Sequence, residues 1–463
     1  MFFKRSTAVI ALIGLCLGAI YVASDELQRE VRLFLAGALG DVAIERMQQQ
    51  SADNESGPMA AADMITLPIE VTEPAPGIYM ASGVGNTFVV RSGEGDVIFD
   101  TGLIIQAAEQ YEVLHQALGN IQPTAVVLSH SHADHVGGAR MWASPQTELV
   151  TSYEFLEEQR YLTQLNPYLH RRNRVLFPWL PEEPRVLPGM NFRGLIPDVE
   201  VKKGEPRRFT QSGRVFELWS LPGAEGSDNL LLWLPEEKIL LSGDFFGPQF
   251  PQFPNIFTMR GEKVRRPIEY IESLNTVIGF APELILPSHL GPIEGAERIM
   301  ADLTRIRDAV QWVHDQTVAG MNAGKTLSEV MADVRLPSDL ALSQRHGKVS
   351  WAVKSIWEYY ATWFHFDRTS ELYGTPQTAV LEDLSRAIDD ETITKIIDEA
   401  IQRDEWERAL HLLELLEGNQ ALTDALKDRW VAVITALRER SLSTEKNDYE
   451  LYWLDSRLRS LTQ

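Results

Sequence analysis

The chain has 463 residues but only one cysteine, Cys16, so no intrachain disulfide can form. Basic residues are also few, since 43 Lys and Arg stand against 65 Asp and Glu and leave a formal net charge of −22. Because a surface this acidic repels phosphate backbones, we exclude general nucleic-acid binding. Repeated long apolar runs are lacking as well, which excludes a polytopic membrane protein. The 44% hydrophobic and 23% charged residues are ordinary for a globular protein of two or three domains.

An apolar run lies at the N-terminus, from position 8 to position 23, behind a short basic flank. The run is short for a spanning helix but has the length of a secretory signal, and Val22-Ala23-Ser24 suits cleavage. We therefore predict a signal peptide or a membrane anchor over residues 1–24. Both alternatives place the body of the protein in the periplasm or outside the cell, in the second case tethered by this segment. Residues 25–65 are predicted to form a helix and a linker.

Short β runs mixed with helical stretches extend from residue 66 to residue 300. The runs Thr87-Phe88-Val89-Val90 and Ala125-Val126-Val127-Leu128 are typical of strands, and a helical stretch lies between them near 105–118. This mixture predicts one layered α/β domain over residues 66–300. Beyond it, apolar residues recur at helical spacing, which predicts an all-α domain over residues 301–463.

Three local patterns give more detail within these domains. Residues 178–206 are rich in Pro and Gly and are predicted to form a long loop. Thr326 and Glu329 have the spacing of a capping box, which predicts the start of a helix. Residues 390–402 and 404–417 are predicted to form a pair of helices.

The chain contains only 10 histidines, and three of them fall within six residues, directly after the strand that ends at Leu128. Three imidazoles at the end of a buried strand would repel one another if charged and lose hydrogen bonds if neutral. A divalent metal resolves both problems. His130 and His132 alternate, so on an extended chain they face the same way. Asp134 and His135 follow in the turn, where they can bind a second metal.

A two-metal site needs further ligands from distant segments, and loops at strand ends on a rigid sheet can supply them. Three candidates follow apolar strands in loops opened by Pro or Gly: Glu225, Asp244 and His289. For any one of them alone, a role at the surface is the more common one. Their shared position after strands is what predicts that they join the histidine cluster.

The H-S-H-A-D-H run resembles the metallo-β-lactamase fold superfamily, and residues 66–300 carry its order of motifs. Asp100-Thr101-Gly102 matches the early D-T-G, Gly243-Asp244 matches the bridging aspartate, and His289 matches the last histidine. This resemblance implies an α/β fold, a four-layer αββα sandwich with the metals at one edge of its two sheets, followed by the all-α helical domain.

One departure points to a branch of that superfamily. Most members have a histidine where this chain has Glu225, after Pro222-Gly223-Ala224, and a glutamate there looks like the alkyl sulfatase branch. Residues 255–261 are similar to the branch's N-L-x-T-x-R-G segment, and residues 314–317 and 349–354 resemble its helical dimerisation domain. The resemblance therefore implies a homodimer formed through the helical domain. The sterol-carrier-like domain that often ends members of the branch has no counterpart in this sequence.

The resemblance also implies two Zn²⁺ ions per chain and a ligand for each position. The first ion would be held by His130, His132 and Glu225, the second by Asp134, His135 and His289, and Asp244 would bridge them. The branch more often has glutamate at the bridging position. We take Asp134 and Asp244 as the catalytic carboxylates of this site.

Substrate contacts are predicted in the segment that follows the bridging aspartate. A sulfate ester presents a monoanionic head group, and a planar guanidinium suits such an oxyanion, so Arg260 is the first candidate, with Asn255 beside it. Arg171, Arg172 and Arg174 are weaker candidates. The branch usually has histidine before this asparagine, where this chain has Pro254, so any role of that histidine is absent here.

We therefore expect an alkyl sulfatase that cleaves sulfate esters of aliphatic alcohols, such as dodecyl sulfate, with a metal-activated water. The alternative is a hydrolase of another ester class on the same site: a lactone, a thioester or a phosphoester. A non-enzymatic scaffold is a third hypothesis, which seven intact candidate ligands disfavour. Five phenylalanines suit either an apolar trough for an alkyl tail or core packing, and both interpretations stay open. They are Phe245, Phe246, Phe250, Phe253 and Phe257.

Overall fold

In the computed structural model, the described residues are 68–178, 180, 182–183, 194–223, 225–257, 259–366, 369–376, 379–380, 383, 390–417 and 423–462. The predicted N-terminal segments, residues 1–24 and 25–65, lie outside them. The chain divides into two compact units: a first unit with residues up to 170, 181–251 and 268–307, and a second unit with residues 171–180, 252–267 and 308 onward. None of the helices in the described part of the chain is both long and apolar enough to cross a bilayer.

The first unit contains two sheets. The first sheet has seven strands in chain order, antiparallel from β1 to β4 and parallel from β4 to β7. They are β1 Val71–Ala75, β2 Ile78–Ala81, β3 Thr87–Ser92, β4 Gly95–Phe99, β5 Pro123–Val127, β6 Glu148–Ser152 and β7 Val199–Val201.

The second sheet has six strands in the order β13-β12-β11-β10-β9-β8. Its strands β11 and β12 are parallel, and the other neighbours are antiparallel. They are β8 Arg207–Gln211, β9 Arg214–Ser220, β10 Leu230–Leu234, β11 Ile239–Gly243, β12 Leu284–Pro287 and β13 Ile293–Glu294.

Among the described residues, seven helices follow or connect these strands. They are α1 Ala107–Leu118, α2 Ala133–Val136, α3 Ala139–Trp142, α4 Phe155–Gln164, α5 Asn166–Leu176, α6 Pro267–Phe280 and α7 Ala296–Asn322. Helix α6 begins at Pro267, as proline at a first helical turn often does. Helix α7 continues into the second unit.

Alternation along the strands builds the layers of the first unit. Val97 and Phe99 of β4 lie in the core between the two sheets, whereas Ile98 between them packs with α1 on the outer face. On the second sheet, Phe280 of α6 stacks on Trp233 with ring centroids 5.1 Å apart. The order helix, sheet, sheet, helix confirms the predicted four-layer αββα sandwich.

The second unit is helical in its C-terminal part, and no strand follows Glu294 in the described residues. Its helices are α8 Leu327–Asp333, α9 Val349–Ala361, α10 Asp390–Gln402, α11 Trp406–Glu417, α12 Asp424–Ser443 and α13 Asp448–Thr462. The predicted capping box is present, since the Thr326 side chain accepts from the Glu329 backbone and the Glu329 side chain accepts from that of Thr326. The predicted helix pair is confirmed as α10 and α11.

One prediction needs correction within the described residues. The sequence predicted a single loop over 178–206, but strand β7, Val199–Val201, lies in it and pairs with β6 in parallel. Val201 is buried in the core between the sheets, and this tertiary contact overrides the Pro- and Gly-rich surroundings.

Candidate metal centre

Polar side chains collect where strands of both sheets end. Asp100 follows β4, His130 follows β5, Asp244 follows β11 and His289 follows β12, and all four are buried. Strands β4 and β5 are parallel, as are β11 and β12, so within each sheet the two carboxyl ends lie together. The sandwich therefore brings to one edge residues that are far apart in sequence, such as Asp100 and His289, which are nearly 200 positions apart.

Five of the seven predicted ligands form two overlapping groups. His130, His135 and Asp244 form one, and Asp134, His135 and His289 form the other, with the ligand atoms of each group within 4.8 Å of one another. The Nε2 atom of His135 is 3.4 Å from Asp244 Oδ2 and 3.6 Å from Asp134 Oδ2. The Nε2 atom of His289 is 3.0 Å from Asp244 Oδ2 and 3.5 Å from Asp134 Oδ2. His135 is therefore common to both groups.

The two remaining predicted ligands lie at different distances from these groups. His132 is adjacent, because its Nδ1 is 2.8 Å from His130 Nε2. Glu225 is buried, and its negative charge adds to burial in raising the pKa of Tyr270. Among the described residues, neither His132 nor Glu225 belongs to one of the two groups. The division of ligands between two ions therefore stays a prediction.

Hydrogen bonds fix which ring nitrogen each histidine presents. His135 Nδ1 is 2.9 Å from Asp100 Oδ2, and His289 Nδ1 bonds the carbonyl oxygen of Val84. Both rings donate from Nδ1 to these oxygens, so each turns its Nε2 atom toward the carboxylates of the groups. This arrangement is typical of metal-binding imidazoles.

In this site, burial and neighbouring charges shift the pKa values of the candidate ligands in opposite directions. Burial alone would lower the pKa of His135, but the carboxylates of Asp244, Asp134 and Asp100 outweigh it and hold the pKa well above its ordinary value. Burial would raise the pKa of Asp244, yet His289 and His135 hold it well below the usual range. The carboxylates thus favour positive charge at this position, which a divalent cation would also supply.

Two buried atoms in the site lack a hydrogen-bond partner among the described residues: His135 Nε2 and Asp244 Oδ1. Leaving a buried polar atom unpaired costs about 1–3 kcal/mol, so such atoms at the same site require an explanation. Imidazole nitrogen and carboxylate oxygen are ligands that Zn²⁺ and related divalent ions accept. The residues present therefore fit a metal centre.

Asp100 supports the site from behind, a role that the sequence analysis did not assign to it. One carboxylate oxygen accepts from the Ser129 backbone N–H at 2.7 Å, and the other accepts from the Ser129 and Ser288 hydroxyls at 2.7 and 2.5 Å. The second oxygen also lies against His135 Nδ1. Asp100 therefore orients one ligand and joins the ends of three strands. Its place in the motif Asp100-Thr101-Gly102 was the sequence signal that could have indicated this supporting role.

Asp228 is a second supporting carboxylate that sequence reasoning missed. Its Oδ2 accepts from the Ser131 backbone N–H at 2.9 Å, which holds the turn between His130 and His132. Burial, together with the nearby Glu158, raises the pKa of Asp228 to about 7. Its position in the polar loop before the buried strand β10 gave only a weak signal.

Close backbone approaches explain two glycines at this edge. A Cβ atom on Gly85 would lie 1.9 Å from the carbonyl oxygen of Asp134. A Cβ atom on Gly243, which has φ +56°, would lie 2.5 Å from Ser129 Cβ. Any larger residue at either position would displace the segments that carry the ligands.

The predicted substrate contacts Arg260 and Asn255 lie in the second unit, whereas the predicted metal ligands lie in the first. The backbone around Arg260 is held by Arg172, whose Nη2 donates to Met259 O at 2.7 Å and whose Nε donates to Arg260 O at 3.1 Å. The Arg260 guanidinium is itself 3.2 Å from a Glu262 carboxylate oxygen. Arg172 therefore positions this turn.

The phenylalanines after Asp244 are mostly core residues. Four of the five are buried, and ring contacts include Phe246 with Phe250 at 5.1 Å and Phe257 with Trp351 at 4.7 Å. This burial favours core packing over an open trough. The buried residues are Phe245, Phe246, Phe253 and Phe257.

Comparison with known proteins gives two family matches. Residues 81–289 match the Metallo-beta-lactamase superfamily, and residues 326–452 match the family described as Alkyl sulfatase dimerisation. The first match spans the two groups of candidate ligands, since it ends at His289. The second covers most of the C-terminal helices.

Individual relatives agree with these matches. A linear primary-alkylsulfatase from Pseudomonas sp. is 26% identical over 310 residues, which is 60% of this chain and 56% of that protein. The alkyl/aryl-sulfatase BDS1 of Saccharomyces cerevisiae is 23% identical over 314 residues, 62% of this chain and 48% of that protein. This chain thus spans about half the length of the curated relatives it matches.

A solved structure shares the fold. The stereoselective inverting sec-alkylsulfatase Pisa1 from Pseudomonas sp. matches with a TM-score of 0.71 at 21% sequence identity. The match covers 86% of this chain and 66% of that one. At this level of identity the match concerns the fold alone.

Proposed function

We propose that this chain, which is homologous to the Pseudomonas alkylsulfatases and carries a metallo-β-lactamase domain and an alkyl sulfatase dimerisation domain, hydrolyses sulfate monoesters of aliphatic alcohols. The observation that carries the proposal is the pair of ligand groups that share His135 at the strand ends. The alkylsulfatase relatives supply the substrate class.

For the metal, we propose two Zn²⁺ ions with the ligand division given by the sequence motifs. His130, His132 and Glu225 would hold one ion, Asp134, His135 and His289 the other, and Asp244 would bridge them. Such ions, when bound, lower the pKa of a water toward neutrality and polarise the ester. The protein's own part is to hold its ligands in place: Asp100 orients the imidazole of His135, and Asp228 holds the backbone between His130 and His132.

For the substrate, Arg260 and Asn255 would contact the sulfate head group. A guanidinium offers paired N–H donors that match two oxygens of an oxyanion, and an amide NH₂ adds a neutral donor. Arg172 fixes the turn that carries Arg260, so the guanidinium is presented from a held backbone. Glu262 pairs with the Arg260 guanidinium, so the sulfate group would compete with the Glu262 carboxylate for it.

For the assembly, we propose a homodimer formed through the region that matches the dimerisation family. For the compartment, we propose the periplasm or the exterior, on the basis of the basic flank and apolar run at the N-terminus. Size-exclusion chromatography with light scattering tests the first proposal, and a dimeric mass is expected. Fractionation of cells that express the full chain tests the second.

The decisive experiment is sulfate release from dodecyl sulfate by the purified full chain, beside lactone, thioester and phosphoester substrates. We expect turnover of the sulfate ester to exceed that of the other three classes. Preferred hydrolysis of a lactone, thioester or phosphoester would reject the proposed substrate class but keep the metal centre.

Metal removal tests the cofactor separately. Dialysis against a chelator should abolish hydrolysis, and added Zn²⁺ should restore it, with close to two ions per chain by elemental analysis. Full activity of the chelated protein, or well under one metal ion per chain in the active protein, would contradict the proposed centre.

A further inference from the structure

The turn that follows helix α9 in the second unit exposes several large apolar side chains. Trp363, two residues beyond the end of the helix, is 69% exposed, and Phe366, three residues later, is 87% exposed. Four further apolar residues close to them in the chain are between 39 and 70% exposed. We call these six residues the apolar patch: Tyr359, Tyr360, Trp363, Phe366, Leu372 and Tyr373.

His365 holds the two segments of this patch together. Its Nε2 is 2.9 Å from a carboxylate oxygen of Glu358, on α9. Its backbone N–H donates to a carboxylate oxygen of Glu371 at 2.8 Å, in the short 3-10 helix Thr369–Leu372. Because one residue bonds both segments, the end of α9 and the 3-10 helix lie side by side.

Ring contacts join members of the patch to one another. Trp363 contacts Phe364 with ring centroids 5.6 Å apart, and Phe364 contacts Phe366 at 4.7 Å. On the helix, the rings of Tyr359 and Tyr360 are 5.1 Å apart. The exposed rings are therefore gathered in one place, whereas apolar residues scattered singly over a surface need no explanation.

The exposed area of the patch is large for a protein that stays monomeric. Six side chains of this size, exposed by 39 to 87%, present on the order of 700 Å² to solvent. The largest apolar patch of a typical monomer covers roughly 300–600 Å², and each partner in a standard interface contributes about 800 Å². The patch thus supplies most of the surface that one side of a stable interface needs.

Charge favours a protein partner over a membrane. Surfaces that bind anionic lipids combine apolar residues with Lys or Arg, but in this turn the carboxylates of Glu358 and Glu371 flank His365. The net charge of −22 also repels anionic headgroups. Two copies of so acidic a chain repel each other as well, so their contact must be apolar, and the patch offers a contact of this kind.

The position of the patch in the chain points to a second copy as the partner. All six residues fall within 326–452, the range that matches the family described as Alkyl sulfatase dimerisation. In a two-fold dimer both copies use the same surface, and an apolar patch can pack against its own copy without any need for opposite charges. Large rings at the centre of an interface usually contribute most of its affinity.

We propose that the apolar patch is the surface through which two copies of this chain associate, with Trp363 and Phe366 at the centre of the contact. The proposal rests on the proposed function, which includes a homodimer but does not say which residues form it. His365 takes part by holding the turn that presents both rings.

Sedimentation velocity of the purified full chain over a series of concentrations tests this assignment. The wild type should sediment as a dimer, and the double variant Trp363→Ser, Phe366→Ser should raise the dissociation constant by on the order of 100-fold. Trp453→Ser, at an exposed tryptophan outside the patch, should remain dimeric. A wild-type dissociation constant in the double variant, or an equal loss of dimer in the control, would overturn the proposal.

Cross-linking locates the contact without removing a ring. Cys16 is the sole cysteine, so Cys16→Ser leaves a chain without thiols. In that background, Ser370→Cys, at an exposed position beside Leu372, should give a covalent dimer with a short bismaleimide, whereas Ser460→Cys, exposed on α13, should not. Equal yields at the two positions, including no product at either, would overturn the proposal.

These experiments separate the inference from the proposed function, since none of them depends on sulfate release. A wild type that is monomeric at every concentration would overturn the proposed homodimer and this inference with it. A dimeric wild type whose double variant is equally dimeric would overturn the inference alone. Vesicles of phosphatidylcholine and phosphatidylglycerol test the other occupant: loss of vesicle binding in the double variant, with the dimer unchanged, would assign the patch to a membrane and overturn the proposal.

Discussion

The strand ends of the first unit and the last helices of the second unit bury different kinds of side chain. The first unit buries ionisable groups at the ends of its strands, such as His135 at 0% and Asp244 at 5% exposure. The last four helices of the second unit enclose an apolar cluster around Trp430. Charged groups there pair in partly exposed positions, as Asp398 does with Arg429 at 2.7 Å.

The buried ionisable groups at the strand ends are therefore expected to serve function, and the apolar cluster of the C-terminal helices to serve stability. Burying charged groups disfavours folding unless partners compensate, and a metal ion bound at the candidate centre would supply that compensation in the first unit. The C-terminal helices follow the simpler rule that apolar residues lie inside and charges outside. Substitutions in the two units should therefore change different measured quantities.

The largest effect on this contrast is expected from His135→Ala. It removes the ligand common to both groups, so the metal content should fall and hydrolysis should drop on the order of 10³-fold or more, beyond the loss typical of outer supporting residues. Elemental analysis and sulfate release measure these losses. His411→Ala, at an exposed position, is the control. Retention of both metal and activity in His135→Ala would remove the basis of the proposed centre.

Trp430→Ala should act in the opposite way, on stability alone. The ring is 2% exposed and has the Arg457 guanidinium 5.2 Å from its centroid, so its loss should lower the free energy of unfolding by about 3–5 kcal/mol. Chemical denaturation measures this, and metal content should stay at the wild-type value. Trp453→Ala, at a tryptophan 44% exposed, should cost less than about 0.5 kcal/mol. Equal costs for the two variants would contradict the assignment of Trp430 to a core.

Asp100→Asn tests the support behind the ligands. The amide keeps the shape but removes the negative charge that lies against His135 Nδ1, so metal affinity should fall by roughly 10–100-fold. Competition with a chelator of known affinity measures the change. Glu94→Gln, at an exposed turn, should leave affinity unchanged. Unchanged affinity in Asp100→Asn would show that the charge of Asp100 does not support the ligand.

Thr326→Ala should cost about 1 kcal/mol of stability, because it removes a side-chain oxygen that caps the Glu329 backbone N–H at the start of α8. Urea denaturation measures this cost. Thr326→Ser keeps the hydroxyl and should stay within a few tenths of a kcal/mol of wild type. A similar loss in both variants would point away from capping.

The smallest effect concerns pH. Hydrogen bonds from Arg429 lower the pKa of Asp398 in the folded protein, so the ion pair stabilises the fold above the ordinary carboxyl pKa of about 3.9. That contribution is lost as the pH falls through the lower, folded pKa. Asp398→Asn should therefore be slightly less stable than wild type at pH 7, by a few tenths of a kcal/mol since Asp398 is 42% exposed, and the difference should shrink toward pH 3. Urea titrations across this range measure it, and a difference that grows on acidification would contradict the sign.

Local sequence motifs and helical spacing predicted much of the fold and of the site. The H-S-H-A-D-H run after β5 and the lone polar residues Asp244 and His289 after later strands predicted which residues meet, because parallel strand ends gather at one edge. The helix pair α10 and α11 and the capping box at Thr326 followed from local spacing. The helix pair and the capping box depend on neighbouring residues, which the sequence displays directly.

Features that depend on tertiary contacts were harder to predict. Strand β7 has three residues and owes its existence to pairing with β6, so no repeat could reveal it. The roles of Asp100 and Asp228 lie in hydrogen bonds to residues 29 and 97 positions away, Ser129 and Ser131 respectively. Local spacing in the sequence does not indicate which residues this far apart in the chain form hydrogen bonds.

The shared position of His135 limits how the two groups can be filled. Its Nδ1 is turned to Asp100, which leaves one nitrogen, Nε2, and a neutral imidazole nitrogen has a single lone pair. One such nitrogen can coordinate only one cation, so His135 can serve only one of the two proposed ions. In the proposed division of ligands, the other ion would rely on His130, His132 and Glu225.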